Sequence, residues 1–448
     1  MMIRISSLLL LAAATSPVAA QPIALSHVRI IDGTGAAPIE DGTVLINQGR
    51  IVAAGRQIST KGARILDRSG DTILPGLISD HSHVGQIRGK TAGAANYTRE
   101  TITRELSQYR RYGITTVVAL GNNGPLFDPL RKEAHQGKLP ADLFGVDQGI
   151  GVANGAPPQT MVKVGPDQLY RLATPDEARA DVRKMAAAGT DLVKIWVDDF
   201  GGSVPVKMSP DIYRTVIDES HKLGLRVAAH IHDLSDAEGV VAAGADIIAH
   251  GVRDTPVPPE FVATLKQKGV WYIATLALDD ATVAWAEQQP WTKTPFTRAA
   301  LSPELAAQID DAAWREKTLA TPQMAPARAS LTMNEANLKT LVDAGVKVGF
   351  GTDSGATPVR VAGLAEHREL MLSVQAGLTP MRAITMATRD AAALMNLSDR
   401  GTIAPGKRAD LLIVQGDPSR DIGAMDRIVE TWANGSAVPG SLPLAPAR

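Results

Sequence analysis

At 448 residues, with 44% hydrophobic and 21% charged residues, the chain is too long for one small core and has the composition of a globular protein. A formal charge of −1 and a pI near 6.8 exclude a general electrostatic pull toward nucleic acid or anionic membrane, which leaves small molecules as the expected partners. The absence of cysteine excludes disulfides, lipoprotein acylation and thiolate ligands, so any metal must be held by nitrogen and oxygen. In chain order, 1–20 reads as a secretion signal: Arg4 is its basic start, 8–14 its apolar core, and Val18-Ala19-Ala20 a small-residue cleavage site before Gln21. The competing reading is an ordinary buried N-terminal helix. The apolar run is too short to span a bilayer, and export to the periplasm or the extracellular space is the expected destination. Removing the segment takes away one arginine and no acid, leaving a mature charge of −2.

Residues 23–31, 42–47 and 50–54 read as strands, separated by the turns Asp32-Gly33-Thr34-Gly35 and Gln48-Gly49. A similar strand-and-turn segment follows Gly401 near the other end. The two ends, 21–72 and 399–448, are expected to pair into a small composite β-sandwich domain. Between them, over 73–398, strands are expected at 73–83, 113–120, 143–150, 191–198, 225–232, 245–250, 268–276 and 346–353. Helix starts alternate with them. Thr174-Pro175-Asp176-Glu177 and Ser235-Asp236-Ala237-Glu238 read as capping boxes, and Ser209-Pro210 and Thr379-Pro380 place proline in a first helical turn. Eight strands with intervening helices are the count of a (β/α)8 TIM barrel. Two connections are longer than such a barrel needs: about 151–173, and an insertion at about 277–333 carrying Trp285, Trp291, Phe296 and Trp314. They are read either as a lid or as aromatics anchoring the insertion to the barrel.

Five of the nine histidines end strand-like runs. His81 and His83 close Leu-Pro-Gly-Leu-Ile-Ser-Asp-His-Ser-His, His230 and His232 close Leu-Arg-Val-Ala-Ala-His-Ile-His, and His250 closes Ala-Asp-Ile-Ile-Ala-His. Residues i and i+2 of a strand point to one side, so His81 and His83 form half of a divalent-metal site. Functional side chains of a barrel lie at the C-terminal strand ends, where Lys194 and Asp353 also fall. Singly, each has a structural reading: a hydrogen-bonded histidine, or an aspartate shaping a turn. Lys194 stands within the apolar run Leu192-Val193-Lys194-Ile195-Trp196. Desolvation and nearby cations would yield a neutral amine able to add carbon dioxide, and the carbamate could bridge two metals. The alternatives are a lysine snorkelling from the strand or paired with Asp198 or Asp199. His230 is favoured over His232 as a ligand, with His232 in a supporting or substrate-binding role.

Leu74-Pro75-Gly76-Leu77 leading into His81-Ser82-His83, then Gly113-Ile114-Thr115-Thr116-Val117, Val348-Gly349-Phe350-Gly351-Thr352-Asp353 and Ala404-Pro405-Gly406-Lys407-Arg408-Ala409-Asp410-Leu411 together resemble the amidohydrolase superfamily. Within it, the chain is similar to secreted or periplasmic two-metal members with a carboxylated lysine, of the imidazolonepropionase-like and prolidase-like kind. The resemblance implies two divalent ions, zinc being expected. One would rest on His81, His83, Lys194 and Asp353, the other on Lys194, His230 and His250. It further implies hydrolysis of an amide C–N bond of a small molecule by a metal-bridging hydroxide, with Asp353 as proton shuttle. Dipeptidase-like relatives carry Gly-Gly-His-Gly after the third strand, whereas this chain has Gly151-Val152-Ala153-Asn154-Gly155-Ala156 without the histidine. The alternatives are a one-metal deaminase, cyclic-amide hydrolase or lactonase and, from another class, a catalytically inactive periplasmic binding protein. Oligomeric state stays open, a homo-oligomer included.

Overall fold

The computed structural model describes residues 21–159 and 163–440; the signal-like segment 1–20, residues 160–162 and the end 441–448 lie outside the described residues. The two chain ends meet in one sheet. Asp71–Pro75 pairs antiparallel with Leu411–Gln415, Leu74 opposite Leu412. Pairing continues through Ile428–Ala433 to Ser436–Pro439 on one side, and through Ile23–Ile30 and Ile39–Asn47 to Arg50–Gly55 on the other. Arg64–Asp67 makes the eighth strand by pairing with the first half of Ile23–Ile30. Leu25, Val44, Ile73, Leu411, Ile413 and Trp432 from both ends pack into an apolar core of their own.

The stretch expected as one strand at 73–83 is two. Asp71–Pro75 belongs to the terminal sheet, whereas Leu77–Ser82 opens the barrel. Gly76 marks the switch: its N–H donates to Asp410 O at 2.8 Å, and the next N–H, of Leu77, donates to Gly113 O at 2.9 Å. A Cβ on Gly76 would overlap the Thr115 side chain, so glycine is required by close approach.

The barrel strands are β1 (Leu77–Ser82), β2 (Ile114–Leu120), β3 (Asp142–Val146), β4 (Val193–Trp196), β5 (Val227–His230), β6 (Ile247–Ala249), β7 (Trp271–Ile273) and β8 (Lys347–Val348). Neighbouring pairs β1–β2, β2–β3 and β4 through β8 are parallel. Asp191 N, just before β4, donates to Gly145 O of β3 at 3.1 Å. Beyond β8 the chain runs parallel to β1: Asp80 N donates to Phe350 O at 2.6 Å, Thr352 N to His81 O at 3.0 Å and His83 N to Ser354 O at 2.7 Å, which closes the ring. Gly351 permits this contact, since a Cβ there would lie 2.5 Å from His81 Cβ. The architecture is the (β/α)8 barrel, with regular strands shorter than expected, several of them at both ends; His83, His250 and Asp353 fall in the irregular backbone just past the strands.

The caps divide. Thr174 Oγ1 accepts from Glu177 N at 3.2 Å and Thr379 Oγ1 from Arg382 N at 3.2 Å, both ahead of helices with proline in the first turn. Ser235 does not cap; its helix, Leu234–Ala243, starts earlier, with Asp233 as its N-cap. The insertion is not a loop. It folds into Ala277–Glu287, Pro295–Arg298, Pro303–Asp310 and Ala312–Leu319, followed by Met324–Asp343. Thr294 and Ser302 cap the second and third of these through side-chain oxygens. Trp285 and Phe296 are buried, and Trp285 Nε1 donates to Val359 O at 2.9 Å, so these aromatics anchor the insertion.

Candidate metal centre

Strand alternation and closure bring four strand ends to one cavity of about 200 Å³, whose lining includes His81, His83, His230, His250 and Asp353. His81 lies in β1 and His83 just past its end. His230 is the last residue of β5, and His250 follows β6. His83 Nε2 stands 3.0 Å and His81 Nε2 3.3 Å from Asp353 Oδ1. The ring of His250 lies 4.4 Å, centre to centre, from the rings of both His81 and His230. Lys194 shares the inward face of β4 with Trp196, a cavity-lining residue. It is fully buried; its Nζ has no hydrogen-bond partner and sits 5.4 Å from the centre of the Trp196 ring. Lys194 forms no ion pair among the described residues: Asp198 stands 3.1 Å from His230 Nε2 instead, and Asp199 accepts from Gly202 N.

Burial sets the protonation states. It lowers the Lys194 ammonium to about 7, with Asp198 opposing. Burial, aided by Lys194, lowers His83 to about 3 and His81 well below its ordinary value. Burial also lowers His230, against the opposing charge of Asp198, and takes His250 far down with help from the other cations. At neutral pH these imidazoles are therefore uncharged and able to bind a cation. Their outer nitrogens are fixed where a ligand needs them. His83 Nδ1 donates to Gly121 O at 3.1 Å, and His250 Nδ1 is 2.9 Å from Thr275 Oγ1, which turns each Nε2 away from these partners. Asp353 (φ 58°) and His250 (φ 107°) adopt left-handed backbone, a local cost that the surrounding bonds sustain.

Whether a metal fits is tested by the orphaned atoms. Both ring nitrogens of His81, Nδ1 of His230 and Nζ of Lys194 are buried without a hydrogen-bond partner, at a cost that a coordinated cation would remove. The donors are nitrogen and oxygen, a set suited to zinc and similar divalent ions. Among the described residues, His81, His83 and Asp353 alone place one ligand atom each within 4.8 Å of one another.

The structure does not bring His232 to this cavity. Strand β5 ends at His230, so alternation no longer governs residue 232; its Nδ1 lies 2.7 Å from Asp233 Oδ1 and the side chain is about one-third exposed. Sequence reasoning missed Arg360, Asn122 and Phe200, which line the cavity. Arg360 Nη1 pairs with Asp353 Oδ2, while Nε donates to Thr357 Oγ1 at 3.2 Å. Phe200 stacks on His230 with ring centres 4.8 Å apart and planes 5° from parallel. All three lie in irregular connections after strands, where periodicity carries no signal.

Relatives share this arrangement of chain. A dihydroorotase from Pelotomaculum thermopropionicum is 25% identical over 410 residues, covering 86% of this chain and 87% of its own. An imidazolonepropionase from Geobacillus kaustophilus is 24% identical, covering 84% of each. Among solved structures, a Xaa-Pro dipeptidase with bound methionine in its active site superposes with a TM-score of 0.73 at 23% identity, over 94% of this chain and all of its own. An A. niger ochratoxinase gives 0.69 at 18%, over 94% and 96%. Both structural likenesses bear on the fold alone. The amidohydrolase family model matches residues 72–438, the whole barrel together with strands of the terminal sheet, and the chain belongs to the amidohydrolase family.

Proposed function

We propose that this protein is a metal-dependent hydrolase that cleaves an amide C–N bond of a small molecule, using a water held between two divalent ions. The observation that carries this reading is that His81, His83, His230, His250 and Asp353 line one cavity while Lys194 is buried beneath Trp196 of its wall, with four nitrogens of the group buried and unpartnered. Membership of the family supports hydrolysis at carbon–nitrogen bonds, and the relatives named dihydroorotase, imidazolonepropionase and dipeptidase are consistent with it. When bound, the metal supplies Lewis acidity, lowering the pKa of water and polarising the scissile carbonyl.

The chain's own residues do the rest. His81 and His83 would hold one ion together with Asp353, and His230 and His250 would hold the second. Lys194, if carboxylated on Nζ, would serve both sets; its burial and lack of a partner favour the neutral amine that carboxylation requires. Asp353 takes a proton from the attacking water and delivers it to the leaving nitrogen. The water oxygen bonds to the carbonyl carbon, the C–N bond breaks, and a carboxylic acid and an amine result. His232, partly exposed beside Asp233, is assigned no step.

The compact His81–His83–Asp353 group favours a second reading, a one-metal hydrolase or deaminase. Metal analysis of purified protein separates the two: two ions per chain and an added carboxyl mass on Lys194 are expected, and one ion with unmodified lysine overturns the dinuclear version. The test of the reaction is turnover by zinc-loaded protein across N-acyl amino acids, dipeptides, cyclic amides and lactones. A lack of turnover on all of them favours the inactive binding protein. Export remains proposed from residues 1–20, to be tested by fractionating the expressing cell; no helix of the described residues is long and apolar enough to cross a membrane.

A further inference from the structure

We propose that Arg360 is the anion receptor of this cavity and that the substrate is an amide bearing a carboxylate beside an apolar group. The proposal rests on the hydrolase reading above and narrows its substrate. Arg360 stands in the wall between the metal cavity and an outer cavity of about 360 Å³, lining both. Its side chain is only 14% exposed, so its charge is largely removed from water and must be answered locally. Nη1 is engaged by Asp353 Oδ2 and Nε by Thr357 Oγ1, whereas Nη2 has no partner among the described residues. Asp353 also faces His81 and His83 through Oδ1; once that carboxylate serves a metal, it neutralises the guanidinium less.

The rest of the cavity points the same way. Among the described residues, Asp353 is the only acid lining it, whereas Arg360 and the exposed Lys163 both contribute positive charge. With Nη1 and Nε engaged, Nη2 is left to donate to a carboxylate oxygen, a charge-assisted hydrogen bond stronger than one to a neutral acceptor. Across the cavity stand Pro157, Trp196, Phe200 and Leu278, an apolar wall for an aliphatic or aromatic substituent. A purely structural arginine, present to orient Asp353, would act on the reaction rate alike for charged and neutral substrates.

The experiment compares matched ligands. Zinc-loaded wild type, Arg360→Gln and Arg360→Lys are titrated calorimetrically with 4-phenylbutyrate and with 4-phenylbutanamide, each affinity being referred to protein with its zinc bound. Wild type is expected to prefer the carboxylate by about 10- to 100-fold, the range of a hydrogen bond to a charged group. Arg360→Gln should erase that preference and Arg360→Lys should keep part of it. A preference absent from wild type, or intact in Arg360→Gln, overturns the proposal. Turnover of N-acetyl-L-phenylalanine and N-acetylphenethylamine supplies the second arm, where Arg360→Gln should raise KM for the first and not for the second. Equal use of both substrates, unmoved by the substitution, sinks the anion receptor and leaves the hydrolase. The reverse, a carboxylate preference in binding with no amide cleaved, sinks the hydrolase and leaves the receptor.

Discussion

Lys194 is the residue whose energetics most need a partner. An amine with no exposure and no hydrogen bond is costly in any protonation state, and the surrounding imidazoles offer it no acceptor while they serve a metal. Lys194→Ala is expected to lose most activity, by about 100-fold or more, and to lower metal content, with partial rescue by short carboxylic acids that fill the vacated space. Metal analysis and turnover with added acetate check this; full activity in the variant removes the lysine from the mechanism. Asp353→Asn tests a different role. It preserves size and much of the coordination but has no carboxylate to accept a proton, so turnover should fall by about 10²- to 10⁴-fold with the fold intact by circular dichroism. An unchanged rate excludes proton transfer at that atom. His232 shows the limit of reasoning residue by residue: the i, i+2 rule joins it to His230 only while the strand lasts, and β5 stops at His230.

At the scale of elements, Asp142 ties the barrel to the C-terminal segment. Lying at the start of β3 and almost fully buried, it accepts from Arg400 at 2.7 Å and Arg408 at 2.9 Å, and faces His135 at 2.7 Å. Burial alone would raise its pKa, but His135 and the two arginines outweigh this and hold the carboxyl well below its ordinary 3.8. A depressed folded pKa means that the stabilisation is fully present above the unfolded value and is lost as pH falls toward the folded one. Asp142→Asn leaves two arginines under-neutralised and should cost about 3–5 kcal/mol at pH 7. The gap from wild type should narrow between pH 5 and pH 3. Urea unfolding at those pH values checks it, and a gap that stays constant with pH would remove the ion-pair explanation. The helical insertion belongs to this scale too. Its Thr294-Pro295 and Ser302-Pro303 starts are the same kind of signal as Thr379-Pro380, and of the two readings, lid or anchor, the buried Trp285 and Phe296 favour the anchor.

For the whole molecule, the candidate metal site takes its residues from both sides of the barrel closure, so cation binding should be linked to global stability. A cation that binds only the folded chain stabilises it by about 2.7 kcal/mol at a free concentration one hundred times its Kd. Removing metal with a chelator should therefore lower the Tm by several degrees, and zinc should restore it. A Tm indifferent to both would argue against a shared cation among these strands.

What the sequence by itself determined is local. Periodicity placed the strands near their true positions, the 81–83 spacing put two imidazoles on one side, and an apolar run around Lys194 implied burial, because each of these depends only on neighbours along the chain. The ordered motifs from Leu74 to Leu411 carried the family. Tertiary structure alone decided the rest: that the strand expected at 73–83 divides at Gly76, that the insertion is helical, and that His232 does not line the cavity. It also decided that Arg360, seven residues past Asp353 in an irregular connection, comes back to pair with it. Such positions are set by barrel closure and by which loops share a wall, contacts between residues far apart in sequence that no local pattern encodes.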